Sequence, residues 1–221
     1  MSSYLLKITL QKTPNLIWRR FAVPSFITLN RLHEIIQFVM GWENKRTHCF
    51  SVNKQRFVPA EMGKTASDGL PESAFSLDDV VFRSGCNLKY IYGEAEKQWI
   101  HQVCVENLRL SSGSCPYPIY CTEGVRACPP ETIANAEEFA GVIAALKNPN
   151  TPENAELCRK FAGFEPDKFD IAVINKRFSV PSDFLLQNGG TQTATPNKKK
   201  KHRSSPPDAL RQLGMKLKKA V

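Results

Sequence analysis

The chain has no long hydrophobic run. Its most apolar stretch, from Leu29 to Met40, is interrupted by Asn30, Arg31, His33, Glu34 and Gln37, so nothing approaches the roughly 20 consecutive apolar residues a transmembrane helix needs. No membrane partner is expected. The first residues, MSSYLLKITLQK, carry neither a positive stretch ahead of an apolar block nor a small-residue cleavage site, which predicts a soluble protein of the reducing cytoplasm. Close cysteine pairs are missing too. Seven cysteines, an odd number, are scattered over 221 residues, a pattern that fits free thiols or a metal site better than a disulfide framework. Catalytic signatures are equally absent: there is no Gly-x-Ser-x-Gly elbow, no complete phosphate-cradling glycine loop ending in Lys-Ser or Lys-Thr, and no His-Glu-x-x-His helix.

Acids are lacking in one region only. Residues 188–221 hold nine Lys or Arg against a single acid, Asp208, for a net +8, whereas the other 187 residues hold 21 Lys or Arg and 20 acids, for a net +1. The basicity therefore belongs to the C-terminal segment and says little about the body. That segment, reading NGGTQTATPNKKKKHR over 188–203, also lacks the apolar residues that offset ordering entropy. It is expected to be a flexible tail, with a short basic helix over 208–219 started by Asp208. Residues 1–187 form the expected folded domain, since 42% hydrophobic and 10% aromatic content suffice for a core.

Within the body, Leu5–Leu10 and Leu16–Val23 alternate as strands around the turn Lys12-Thr13-Pro14-Asn15. Leu29, Leu32, Ile35, Ile36, Val39 and Met40 then recur at helical spacing, with Asn30, Arg31, Glu34 and Gln37 opposite. Thr28 is placed to cap this helix, and Gly41 to end it. His48–Asn53 and Arg56–Val58 read as short strands, Gly63–Ser76 as a loop, and Asn87–Tyr92 with Trp99–Glu106 as a second hairpin. Helical periodicity returns at 136–146, 152–161 and 166–177. Strands first and helices later predict an α+β fold: an antiparallel sheet of two hairpins plus short strands, covered on one face by the N-terminal and C-terminal helices.

The spacing of IWRR, VP, TL, LH, IQ and MGW between Ile17 and Trp42, together with YIYGEAEKQWIHQVCVE (90–106), EGVRACPPE (123–131) and FAGFEPDKFDIAVIN (161–175), resembles the plasmid pRiA4b ORF-three-like family. Some members of that family are labelled passenger TnpR proteins of insertion elements. The resemblance covers about residues 4–178 and leaves the basic tail outside it. Two departures stand out. The family's compact Tyr-Asp-Phe-Gly-Asp stretch is Tyr90-Ile91-Tyr92-Gly93-Glu94 here, with extra residues before Trp99 and His101, and the acid, cysteine and two glycines usual after Cys-Pro-Pro-Glu are Thr132, Ile133, Ala134 and Asn135. The TnpR label implies recombination, yet no N-terminal serine flanked by an arginine cluster is present, so resolvase activity is not expected.

Candidate sites fall into three groups. Cys115, Cys121 and Cys128 share a Pro-rich loop, with His101 as a fourth group, and thiolates with imidazole suit zinc. Their gaps of five and six residues exceed those of ordinary zinc motifs, so packed free thiols are the alternative and no cofactor is required. Arg19 and Arg20 are adjacent in a strand, which sends one to the covered side. There it either pairs with an acid such as Glu94 or Glu106 or clamps an anion. Glu94 or Glu96, His101 and Arg19 or Arg20 would together support general acid–base chemistry in a hydrolase. Lys198, Lys199, Lys200, Lys201 and Arg203 match a nucleic-acid backbone and also resemble a monopartite nuclear-import signal. The leading expectation is a non-enzymatic module: the body recognises an unknown protein or small ligand, and the tail contacts nucleic acid or nuclear-import machinery. The small-molecule hydrolase is its rival.

Overall fold

Alternation sets the sheet. In the first strand, β1 (Ser3–Leu10), Tyr4, Leu6, Ile8 and Leu10 are buried while the residues between them are half-buried, as expected when only one side meets a core. The computed structural model describes residues 3–60, 62, 69–81, 83–110 and 119–179. β1 is joined by β2 (Ile17–Pro24), β3 (His48–Val52), β4 (Gln55–Val58), β5 (Leu70–Pro71), β6 (Asn87–Glu94), β7 (Lys97–Leu110) and β8 (Tyr120–Val125) in one sheet of order β5-β4-β3-β6-β7-β1-β2-β8. The helices are α1 (Leu29–Met40), α2 (Leu77–Val80), α3 (Ala136–Lys147), α4 (Ala155–Lys160) and α5 (Ile171–Ser179). The chain is thus α+β, with both expected hairpins, β1–β2 and β6–β7, at the centre of the sheet.

Three expectations need correction. The sheet is not wholly antiparallel, because Leu70–Pro71 runs parallel to β4, and this strand plus a 3-10 turn at Glu72–Ala74 stands where a loop was expected. Cys121 lies in strand β8, not in a loop. The last helix begins at Ile171 instead of Pro166, since Asp170 accepts the N–H groups of Ala172 and Val173 and so starts it there.

The first helix keeps its ends but not its single buried side. Gly41 takes φ +81 and returns its N–H to Gln37 O and Phe38 O. Thr28 occupies the cap position in extended backbone, but its hydroxyl donates to Asn30 Oδ1 and accepts no backbone N–H. Arg31, His33 and Gln37 are buried with the apolar stripe; His33 and Gln37 face the sheet, where both meet the Tyr90 hydroxyl, while the chain around Phe75 bonds to the start of α1 and Phe178 of α5 packs on Phe38. The main core cluster lies on this side of the sheet, where Leu6, Ile8, Phe21, Trp99 and Val103 meet Leu32, Ile36, Phe139 and Val142.

Both sheet edges are blunted. On the β8 edge, the Asn175 side chain accepts from Cys121 N–H at 2.7 Å and donates to Cys121 O at 2.9 Å, standing in for a ninth strand. The β5 edge is two residues long and ends in proline. Such devices prevent edge-to-edge pairing.

Candidate functional site

Arg19 and Arg20 separate as strand geometry requires. Arg19 faces the core and is 2% exposed, yet no carboxylate lies among its partners in the described residues. Its guanidinium donates to the carbonyls of Trp18, Val39, Val125 and Arg126 at 2.6–3.2 Å, approaches Cys128 Sγ at 3.2 Å, and sits 4.1 Å from the Phe169 ring centre. Val39 lies in the last turn of α1, which has no basic residue of its own, so Arg19 supplies the positive charge favoured at a helix C-terminus. Gly124 makes room, since a Cβ there would come within 2.6 Å of Phe169 and 2.8 Å of Arg19 Cδ. Arg20 points the other way and pairs with Glu106 at 2.6 Å and Glu123 at 2.5 Å.

The hydrolase constellation is not assembled. His101 is wholly buried, its Nδ1 3.4 Å from Tyr90 O and its ring against Trp42 and Tyr90. Burial drives its pKa down to about 3. Glu94 and Glu96 stand exposed at the β6–β7 turn, and neither guanidinium bonds to them.

The zinc set fares no better. Cys115 lies outside the described residues. The Cys121 thiol donates to Glu123 O, and Cys128 contacts Arg19 and Met40 Sδ. Burial raises both thiols, Cys121 to about 11, against the opposing pull of Arg19, which disfavours the thiolate that zinc requires. Among the described residues no group of three His, Cys, Asp or Glu could hold a metal ion. The basic residues Lys198–Lys201 and Arg203 also lie outside the described residues.

What the fold does assemble is a polar cluster between α1 and the sheet. Gln37 Nε2 donates to Tyr90 Oη at 2.9 Å, Tyr90 Oη lies 2.8 Å from His33 Nδ1, His33 Nε2 lies 2.9 Å from Asn44 Oδ1, and Asn44 N–H donates to Gln37 Oε1 at 3.0 Å. With neutral His33 protonated on Nε2, every bond in this ring runs in one sense and the ring closes. Burial, then the neighbouring His48 charge, lower the His33 pKa to about 3. His48 stacks on His33 with ring centres 3.4 Å apart, and its Nε2 faces both oxygens of buried Glu72 at 3.0 and 3.1 Å.

A second group pins the loop after α1. Trp42 Nε1 donates to Pro129 O, the N–H groups of Glu43 and Lys45 donate to Glu131, and Tyr92 Oη also donates to Glu131. These hydrogen bonds hold the Glu131 carboxyl below its ordinary range although burial pushes the other way. Arg46 closes the group by donating to the carbonyls of Lys97, Glu131, Ile133 and Ala134. The MGW, YIYGE, WIH and CPPE segments therefore meet in one place, with Trp42 stacked on Tyr92 at 5.0 Å.

This convergence matches a known lineage. The model of the Plasmid pRiA4b ORF-3-like protein family matches residues 2–173. The chain belongs to that family. Within and beyond it, the chain is 29% identical over 159 residues to protein y4hQ of Sinorhizobium fredii, covering 68% of this chain and 76% of that one. The crystal structure of protein MM3350 from Methanosarcina mazei, titled a protein of unknown function, shares the fold with a TM-score of 0.69 and 24% identity, covering 78% of this chain and 97% of that one. The family match ends at residue 173, before the basic residues of 188–221.

Two features were missed from sequence. The His48–Glu72 contact joins residues 24 apart through a segment expected to be a loop, and no local pattern signals it. The other was the sheet face opposite the described helices, uncovered among the described residues. It carries Lys7, Trp18, Arg20, Lys89 and Gln102 on adjoining strands, and the alternation of each strand already marked these as outward positions.

Proposed function

We propose that this pRiA4b ORF-3-like chain is a non-catalytic recognition module whose basic segment contacts nucleic acid. One observation carries the reading: residues 188–221 hold nine Lys or Arg against one acid, whereas Arg19, His33 and His48 on the covered side are engaged by internal partners. Lys198–Lys201 and Arg203 fit a phosphate backbone, and five such contacts on a duplex give a salt slope near about −4.5. Contact of this kind is independent of sequence. The body recognises a second partner, and the chain works in the cytoplasm. In a eukaryotic cell the same lysine string fits an import receptor, which would move the chain to the nucleus. The hydrolase alternative draws no support from the placement of His101, Glu94 and Glu96.

Deletion of residues 188–221 leaves the family-matched unit and all described residues intact. Retention of duplex DNA at low salt should be lost from the deleted chain. Equal retention by both chains would remove the tail from the function.

A further inference from the structure

The uncovered face of the sheet has an order of its own. Cross-strand pairing sets Arg56 beside Ser51, Ser51 beside Lys89, Lys89 beside Gln102, Gln102 beside Thr9, and Thr9 beside Trp18. This row crosses six strands from β4 to β2. At about 4.8 Å per strand it extends over roughly 24 Å. A second row runs Asn87, Cys104, Lys7, Arg20 and Glu123 directly alongside.

The two ends of the first row differ in chemistry. At one end Ser51, Lys54, Arg56 and Lys89 line a concavity of about 480 Å³, with Glu94 and Gln98 at its far side. Lys54, Arg56 and Lys89 are exposed and enter no ion pair among the described residues, so three cations face one acid. At the other end Trp18 is half-buried, with Lys7 Nζ 4.5 Å and the Arg20 guanidinium 5.2 Å from its ring. It is the one tryptophan outside the core, since Trp42 and Trp99 are 6% and 1% exposed. Glu106 and Glu123, the acids near it, are both engaged by Arg20.

From this arrangement we infer that the uncovered face binds single-stranded nucleic acid, with backbone phosphates in the Lys54–Arg56–Lys89 concavity and a base stacked on Trp18. Charge complementarity selects a polyanion. A row with cations at one end and a half-buried aromatic ring at the other selects one whose bases are unpaired, because a duplex keeps its base faces hidden. The length of the row matches the short end of single-strand footprints, about 4 nucleotides. The inference deepens the nucleic-acid reading above and assigns the body's partner, which the tail alone would leave open.

The test uses the full chain, a short labelled single strand of mixed sequence in DNA and RNA forms, and the corresponding DNA duplex. Four variants are compared: Arg56→Ala with Lys89→Ala, Trp18→Ala, Trp18→Phe, and Lys198–Lys201 all changed to alanine. The paired Arg56→Ala/Lys89→Ala variant alters only exposed side chains, so its fold should persist, and circular dichroism checks this. It should bind the single strand about tenfold more weakly, with a salt slope shallower by about 1.4 for two lost contacts, and bind the duplex as before. Trp18→Ala should cost about tenfold on the single strand, and Trp18→Phe should recover much of that. Single strands should quench intrinsic fluorescence in the wild type and not in Trp18→Phe. The lysine-string variant should weaken duplex and single strand alike. If the face variants bind the single strand normally while the lysine-string variant is impaired, the platform is wrong and the tail reading stands. If the face variants lose duplex and single strand equally, strand selectivity is wrong. If no form of the chain binds any nucleic acid, both readings fall.

Discussion

Arg19 and Arg20 are neighbours in the chain and opposites in the molecule. Arg19 is enclosed by four carbonyls, an aromatic ring and a thiol, and Arg20 is clasped by two carboxylates at the edge of solvent. The same division runs across the whole sheet. On the covered side His33, His48, Tyr90 and Glu72 are held by one another and by α1, whereas Lys54, Arg56 and Lys89 on the other side enter no ion pair among the described residues. The comparison teaches that residue type alone does not mark a site in this fold. In the proposed reading the buried histidines serve the fold, and the exposed Lys54, Arg56 and Lys89 serve the ligand.

The largest way to break the comparison is acid. His33 and His101 have folded pKa values of about 3 against an ordinary 6.5. Both are therefore neutral in the fold, and the unfolded chain takes up their protons first. Stability should be full above about pH 6.5 and decline as pH falls toward 3, by about 5 kcal/mol for the two together at about pH 4.5. Urea denaturation at the two pH values measures it. His101→Leu, which has no proton to gain, should lose about half of that dependence.

Next comes Arg19. Removing it strands several buried carbonyls, so Arg19→Met should cost about 3 kcal/mol or more in urea denaturation. Arg20→Met should cost under about 1 kcal/mol, because its ion pairs are partly solvated. Equal losses would erase the distinction between the two faces. Tyr90→Phe opens the Gln37–Tyr90–His33–Asn44 ring and should cost about 1–3 kcal/mol by the same assay. Asn175→Ala is the mildest, at about 1 kcal/mol, with the exposed β8 edge read by faster amide exchange at Cys121.

Much of the fold was legible because strand alternation and helix periodicity are local. Leu6, Ile8 and Leu10 announced β1, and Leu32, Ile36 and Val39 announced α1. Strand β8 was not legible, since YCTEGV contains a glycine and sits among cysteines and prolines without clear alternation. Arg31 and Gln37 look like solvent-facing positions on a helical wheel. Both are buried in the fold, Gln37 against Tyr90 of β6, a long-range contact that periodicity cannot foresee. For the site, alternation correctly sent one of the two arginines inward, but its partners are carbonyls and not the expected acid. His33 was readable as a core histidine. Its stacking on His48, and the Glu72 that anchors His48, depend on long-range contacts.

The most direct test of the division between faces is an amide NMR titration of the isotopically labelled chain with a short single strand. Within the body, shifts should concentrate at Ser51, Lys89, Gln102, Thr9 and Trp18, with His33 and His101 unmoved. Perturbations centred on these two histidines, with the Arg56-to-Trp18 row silent, would contradict the account.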